Sequence, residues 1–515
     1  MRLADLLKVL PDHQIVGQPP AGEIAGLACD SRAAGPGVIF AALVGAAADG
    51  HAFAPAAAQA GATCLLVERA LPEVGDLCQV VVPDSRRALA LMAAEFHGNP
   101  SQAMTVVGVT GTNGKTTVTY LIESVLARRG PVGVIGTVNV RYAGQSRPAA
   151  MTTPESVEVQ RLLADMRQKG VEQAVMEISS HALVQRRADG VALDMGVFTN
   201  LSRDHLDYHG DLEAYFAAKR LLFERLLPES RARGKEPQAV ICADDPRGAG
   251  LAELARSQGI KVWTYGLDAP ADVTAEDVIL GLDGGVCRVV WPGGDFLAAT
   301  PLVGRYNLQN LLAGAAAGLA LGLRGAEVAA GLADLAGVPG RLERVAGVAG
   351  GPAVFVDYAH TDDALRQALG ALKPLTPGRL FCVFGAGGDR DRGKRPLMGK
   401  VVGELADLAI LTSDNPRGED PLAIMAMVEA GLAEAGSRPA QDFGRAHPPA
   451  YMREPDRAQA IAAAVGAAGP GDVVLIAGKG HEDYQIVAGV KRHFDDREQA
   501  AQALKARAAR EKARG

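Results

Sequence analysis

Gly108-Val-Thr-Gly-Thr-Asn-Gly-Lys115-Thr116-Thr117 is the stretch on which the reading of this chain turns. The apolar run at 104–109 before it predicts a buried strand. After it, Val118, Leu121, Ile122, Val125 and Leu126 recur at helical spacing on one face. Strand, glycine loop, Lys-Thr and helix is the arrangement that cradles a nucleotide's phosphates. Backbone N–H groups of Gly111, Thr112, Asn113 and Gly114 and the helix N-terminus face the anion. Lys115 neutralises it, and Thr116 can hold Mg²⁺. The strict pattern has glycine where this chain has Val109, so the match is to a shorter variant, Gly111-Thr-Asn-Gly-Lys-Thr. A glycine turn that binds nothing is the plain alternative, and the Lys-Thr-Thr at the helix start argues against it.

Working outward, 515 residues predict roughly three domains. Pro100 marks a boundary, and the first hundred residues carry no phosphate loop. From there to about residue 340 strands alternate with helices: 132–135, 174–177, 195–198 and 239–242 read as strands. A second alternating region has strands at 353–357, 380–384, 408–412 and 473–476. Such alternation predicts an α/β fold with mostly parallel sheets and ligands at the carboxyl ends of strands. Polar clusters fall at those ends, including Asp357-Tyr-Ala-His360, Gly385-Ala-Gly-Gly-Asp-Arg390, Asp414-Asn-Pro-Arg417 and Gly478-Lys-Gly-His-Glu482. Residues 444–457, rich in proline and charge, read as a surface insertion.

Composition excludes several classes. A net charge of −6 and the lack of a long basic run outside the tail at 505–514 argue against nucleic-acid binding. Six scattered cysteines make no Cys-x-x-Cys pair and read as buried thiols in a reducing compartment. No apolar segment after Met1 resembles a secretory signal. The longest apolar stretch, 311–323, is too short to span a bilayer and reads as a buried helix. The expectation is a cytoplasmic protein with no membrane partner.

Phosphoryl transfer from ATP needs Mg²⁺ on hard oxygen ligands. Thr116 can supply one and Glu177, at a strand end, another. His205, in Asn200-Leu-Ser-Arg-Asp-His205, reads by itself as a surface histidine.

Taken together, Gly111-Thr-Asn-Gly-Lys-Thr-Thr117, Met176-Glu-Ile-Ser-Ser-His181, Thr199-Asn-Leu-Ser-Arg-Asp-His-Leu-Asp207, Gly340-Arg-Leu-Glu343 and Asp357-Tyr-Ala-His-Thr361 resemble the Mur ligases, ATP-dependent amide-forming enzymes of peptidoglycan synthesis. Gly387-Gly-Asp-Arg-Asp-Arg-Gly-Lys-Arg-Pro-Leu-Met398, Asp414-Asn-Pro-Arg417 and Gly478-Lys-Gly-His-Glu-Asp-Tyr-Gln485 resemble the branch that adds meso-diaminopimelate. The resemblance runs from Asp30-Ser-Arg32 to Gln485.

It implies three domains: a UDP-sugar domain at 1–99, a central P-loop ATPase-like domain with a mostly parallel sheet at 100–340, and a Rossmann-like amino-acid domain at 341–515. It implies ATP and Mg²⁺, with UDP-N-acetylmuramoyl-L-alanyl-D-glutamate and meso-diaminopimelate as substrates of a monomer. Ser31 and the loop 46–49 would meet uridine. Thr152, Thr153, Ser179, Gln185 and Arg187 would meet the muramyl dipeptide. Asn307, Arg341 and Asp357 would lie on the adenine and ribose side of ATP, with Gly111 to Thr117 on its phosphates. Thr116, Glu177, His205 and Lys219, the last as a carbamate, would hold metal. Lys115, Lys219 and His205 would form the catalytic set. Arg390, Asp414, Asn415, Pro416, Arg417, Gly478 and Glu482 would take the diamino acid. Met151 and Ala46-Ala-Ala48 depart from the family's residues. A sister ligase using L-lysine, a folate polyglutamate synthetase and an ATP-binding scaffold are the alternatives. Intact Lys115, Glu177, His205 and Lys219 argue against the scaffold.

Overall fold

The computed structural model of the chain describes residues 1–45, 48–347, 350–443 and 446–512. The chain forms two compact units. One comprises Met1–Gly111, Leu126–Asn200 and Glu213–Thr264; the other comprises Thr112–Val125, Leu201–Leu212 and Tyr265–Gly515.

In the first unit an eight-stranded sheet runs, edge to edge, Lys261–Tyr265, Gln238–Cys242, Met195–Phe198, Thr105–Thr110, Gln173–Glu177, Val132–Ile135, Asn139–Tyr142 and Gln145–Pro148. The strands from Gln238–Cys242 through Val132–Ile135 are parallel, and the last two turn back antiparallel. Thr105–Thr110 is a central strand buried on both faces, which is why it is apolar without alternation. Gly108 is glycine because a Cβ there would lie 2.6 Å from the Ile178 Cδ1 methyl. A five-stranded sheet of residues 14–81 belongs to the same unit, with only Gln14–Val16 antiparallel. Helix Ser85–Phe96 packs on it, capped by Asp84, which accepts from the Arg87 N–H.

In the second unit a seven-stranded sheet runs Glu343–Arg344, Ala353–Asp357, Val473–Ala477, Leu380–Phe384, Leu408–Leu411, Ala450–Arg453 and Arg438–Pro439. All but the first pair are parallel. Apolar clusters fill both faces: Phe355, Leu369, Met398 and Val428 on one, Val356, Phe381, Ile461 and Leu504 on the other. Helix Arg305–Ala320 begins before the buried helix expected at 311–323 and is buried along most of its length. Among the described residues no helix is long and apolar enough to cross a membrane.

Two expectations are corrected. The strand–helix alternation expected up to residue 340 is broken by an antiparallel meander, Thr274–Gly281, Gly284–Trp291 and Gly294–Thr300. Its turns, Leu282-Asp283 and Pro292-Gly293, are two-residue hairpin loops of the kind turn chemistry permits. The surface insertion at 444–457 is largely wrong: Gly444 and Arg445 lie outside the described residues, but Ala450–Arg453 is a sheet strand. Arg457 is fully buried, donating to both Asp496 carboxylate oxygens at 2.7 and 2.6 Å and to the Ala477 carbonyl at 2.9 Å. A charge neutralised by a partner 39 positions along the chain cannot be recognised locally.

Candidate active site

The carboxyl ends of Thr105–Thr110, Gln173–Glu177 and Met195–Phe198 lie side by side. Gly111 follows the first of them with φ 150°, and a Cβ would fall 1.8 Å from Thr199 Oγ1. Only glycine fits that turn. Its carbonyl accepts from Lys219 Nζ at 2.7 Å. Lys219 is 1% exposed and its ammonium sits 4.2 Å from the Tyr215 ring centroid. It closes helix Leu212–Leu221, directly before a π-helical turn, Leu222–Leu226. Such turns often accompany functional sites.

Glu177 is 1% exposed. One carboxylate oxygen accepts from the Thr137 N–H at 2.9 Å and the other from Thr137 Oγ1 at 2.8 Å. Thr137 Oγ1 lies 3.0 Å from Thr152 Oγ1. Thr153 Oγ1 donates to the Glu177 carbonyl at 2.8 Å and accepts from the Ser179 N–H at 3.1 Å. Ser179 Oγ caps helix Ser180–Val184. Arg187 donates to the Thr153 carbonyl, to Gln185 Oε1 and to the Met151 sulfur, and pairs with Glu155 at 3.1 Å. The substitution at Met151 thus leaves that residue in contact with Arg187. Thr152, Thr153, Ser179, Gln185 and Arg187 are therefore brought into one network. Arg86, which reading of the sequence missed, joins it: it reaches the Val44 and Gln185 carbonyls and lies 3.6 Å from Glu155. Ser31 sits in a 3₁₀ turn whose cap, Asp30, is held by Arg32. Ala46 and Ala47 of the expected uridine loop lie outside the described residues, while Asp49 accepts from His51 and Arg69.

In the second unit helix Lys115–Leu126 opens directly after the phosphate loop. Lys115 Nζ donates to the Thr112 carbonyl at 2.9 Å, curling back over its own loop. Asn113 donates to Ser202 Oγ and Asp363 Oδ2, at 3.2 and 2.9 Å. Thr116 is buried and its hydroxyl accepts from Arg341 at 3.1 Å. Thr117 is buried as well. Gly114 has φ 85°, and a Cβ there would lie 2.5 Å from Asn310 Oδ1. Asn307 is fully buried, donating to the Val303 carbonyl and accepting from Asn310. Asn310, one turn on and missed from sequence, is the asparagine against the loop. Asp357 accepts the Leu342 and Ala359 N–H groups at 2.7 and 2.8 Å, and burial pushes its pKa up. Arg341 lies over the Tyr358 ring at 4.8 Å and lines a cavity of about 370 Å³ with Leu302, Val338 and Pro339. His205 is half exposed, in left-handed conformation with φ 52°, 3.5 Å from Asp204.

At the carboxyl edge of the seven-stranded sheet, Asp414 and Asn415 are buried. Asn415 donates to Glu482 at 2.9 Å and accepts from Lys479 Nζ and the Ile486 N–H. Burial, then the neighbouring Asp414, raises the Glu482 pKa. Gly478, at φ 124°, lies against Asp414. Pro416 is buried, and Arg417, at φ 53°, donates to the Gly388 carbonyl at 2.7 Å. Arg390 instead is exposed, donating to the Asp389 carbonyl. Lys479, fully buried 3.6 Å from Asp414, was not read as a site residue. Its place between two motif glycines was the available signal. Among the described residues no three His, Cys, Asp or Glu side chains gather as a metal cluster.

Comparison with known proteins bears on this arrangement. The sequence pattern of the Mur ligase middle domain matches residues 109–318, that of the Mur ligase glutamate ligase domain residues 340–480, and that of the Mur ligase family catalytic domain residues 23–97. A protein of Geobacter metallireducens named UDP-N-acetylmuramoyl-L-alanyl-D-glutamate–2,6-diaminopimelate ligase is 46% identical over 512 residues, covering 98% of each chain. One of the same name from Gloeobacter violaceus is 47% identical over 492 residues, 95% of this chain and 96% of that one. A solved structure of a ligase so named superposes with a TM-score of 0.70 at 35% identity, over 99% of this chain and 100% of that one. A glycine-rich Lys-Thr sequence directly after a parallel strand, a second parallel sheet with its own polar edge, and this end-to-end likeness have one reading: the chain belongs to the Mur ligase family.

Proposed function

We propose that the chain uses ATP to join meso-2,6-diaminopimelate to UDP-N-acetylmuramoyl-L-alanyl-D-glutamate, a step of peptidoglycan precursor synthesis. The observation that carries this is the meeting of Asp414, Asn415, Glu482 and Arg417 on one sheet edge. Two carboxylates and a guanidinium suit a substrate bearing ammonium groups and a distal carboxylate. The names of relatives near half identical support it.

The glutamate carboxylate of the nucleotide-linked dipeptide attacks the γ-phosphorus of ATP, and ADP leaves. The diaminopimelate amine then attacks the acyl carbon, and phosphate leaves. Catalysis of both steps is positioning and electrostatics rather than side-chain nucleophilicity. Lys115 and the N–H groups from Gly111 to Thr117 hold the phosphates. Asn307, Arg341 and Asp357 are assigned to the adenosine side. Thr152, Thr153, Ser179, Gln185 and Arg187 orient the dipeptide, and Ser31 with the loop 46–49 the uridine. Arg390, Asp414, Asn415, Pro416, Arg417, Gly478 and Glu482 seat the diamino acid. The donor chemistry fits Mg²⁺: the Glu177 carboxylate and the Thr116 hydroxyl are hard oxygen groups, a Lys219 carbamate would add another, and His205 is assigned to the same role by resemblance. Bound Mg²⁺ supplies neutralisation of charge on the transferring phosphoryl group. The domain limits 1–99, 100–340 and 341–515, a cytoplasmic location and a monomeric state complete the proposal. The three matched family spans support the limits.

The test is ligation with UDP-N-acetylmuramoyl-L-alanyl-D-glutamate, ATP and a panel of amino acids, following product mass and released phosphate. Product is expected with meso-diaminopimelate far ahead of L-lysine. Equal use of both, or phosphate release independent of the amino acid, overturns the reading.

A further inference from the structure

Two loops of the second unit bear the residues assigned to the amino acid: 387–392 with Arg390, and 414–419 with Asp414, Asn415 and Arg417. They are zipped together. The Gly388 N–H donates to the Asn415 carbonyl at 2.9 Å, and Arg417 Nη1 returns to the Gly388 carbonyl at 2.7 Å. The Gly418 N–H donates to Asp389 Oδ2 at 3.0 Å. There is no slack between them: a Cβ on Gly388 would fall 1.9 Å from the Pro416 carbonyl oxygen. Behind this seam lies Arg395, in the first turn of helix Lys394–Leu405 and only 1% exposed. Its guanidinium forks onto Glu419, with Nη2 to Oε1 at 2.7 Å and Nη1 to Oε2 at 3.0 Å. Nη2 also reaches the Gly387 carbonyl at 3.2 Å, so one side chain holds both loops. Glu419 repeats the bridge from the other side, accepting from the Asp389 N–H at 2.6 Å and lying 3.1 Å from Arg392. Arg395, first among these donors, holds the Glu419 pKa down to about 2, so the clamp stays ionised at any working pH.

We propose that Arg395 and Glu419 are positioning residues for amino-acid choice: they touch no substrate but fix the seam from which Arg417 reaches the diamino acid. The idea rests on the function proposed above. A misplacement of the guanidinium by a fraction of an ångström weakens its grip on a carboxylate, because a two-pronged hydrogen bond tolerates little error. A burial role alone would instead lower stability and leave selectivity intact.

The experiment compares wild type, Arg395→Lys, Arg395→Met and Glu419→Gln. It measures KM for meso-diaminopimelate, for ATP and for the nucleotide dipeptide, kcat, and the kcat/KM ratio of diaminopimelate over L-lysine. Lysine at 395 keeps the charge and loses the fork. The expected result is a KM for diaminopimelate raised roughly tenfold or more and a selectivity ratio lowered as far, with KM for ATP within about twofold. Unchanged selectivity, or equal rises in all three KM values, overturns the proposal. If Arg395→Met fails to fold, Glu419→Gln, which keeps shape and an acceptor oxygen, decides. Wild type serves to separate the two claims. If it ligates a different amino acid, the function proposed above fails, and the same split read with that amino acid still judges the clamp.

Discussion

Lys115 and Lys219 both touch the glycine loop, and their surroundings differ. Lys115 is half-buried and bends over its own loop, donating to the Thr112 carbonyl. Lys115→Ala is expected to leave Tm unchanged and to cut ligation about a thousandfold or more, the scale of losing a preorganised charge at a transferring group. Near-normal turnover would remove the loop from the mechanism. Lys219 is wholly inside, between Tyr215 and the Gly111 carbonyl. An ammonium there opposes a metal, whereas CO₂ added to the neutral amine makes an anion with oxygen donors. Lys219→Ala is expected to be nearly inactive and partly rescued by short carboxylic acids, and native mass of wild type in bicarbonate is expected to show added CO₂. An active, unsupplemented Lys219→Ala ends that role. The lysine stands on a helix with no motif of its own, so composition and spacing pointed nowhere. The carbonyl that holds it belongs to Gly111, 108 positions earlier in the chain.

At the scale of elements, the strand ends carry the residues to which the chemistry is assigned above. Arg417 sits just past the strand Leu408–Leu411, in a left-handed turn paired with the hairpin Tyr484–Val487 and Val490–His493. Arg417→Ala is expected to reduce the preference for diaminopimelate over lysine by about ten- to a hundredfold, the worth of a charge-assisted bidentate contact. Competition of the two amino acids in one reaction, read by product mass, measures it; an unmoved ratio assigns the distal carboxylate to another group. The parallel strands were legible because each is a short apolar run closed by glycine or polar residues: Val132–Ile135, Met195–Phe198, Ala353–Asp357 and Leu380–Phe384 begin and end where the pattern places them. The meander at 274–300 was not, since its exposed Ile279, Val286 and Leu297 blur the alternation that marks a half-buried strand. Ala450–Arg453 was hidden by prolines and charges on either side. The site divides the same way. Motif residues such as Glu177 and Asp414 announce themselves, while Arg86, Asn310 and Arg395 matter through contacts with residues far along the chain.

For the molecule as a whole, one buried imidazole contributes to the pH dependence of stability. Burial, then Arg341 and Arg497, holds the His481 pKa down to about 3 from an ordinary 6.5. Between those values the unfolded chain binds the proton and the folded chain does not, so stability falls as pH drops from 6.5 toward 3 and is complete above that window. His481→Gln, packed 5.1 Å from Tyr358 in the native residue, is expected to show a smaller loss of urea midpoint between neutral and mildly acidic buffer. An identical loss would place the acid sensitivity elsewhere. The thiols carry a different consequence. Five of the six cysteines are buried, and only Cys29 is partly open. Burial and the nearby Glu155 raise its pKa, so alkylation will be slow at neutrality and quicker in mild base. A maleimide dye is expected to add once, at Cys29, and not to Cys29→Ala. Cys29 directly precedes Asp30 and the Ser31 proposed above to meet uridine, so if that proposal holds the fluorescence of this single label, on a chain with no engineered cysteine, is expected to change as the nucleotide sugar is added.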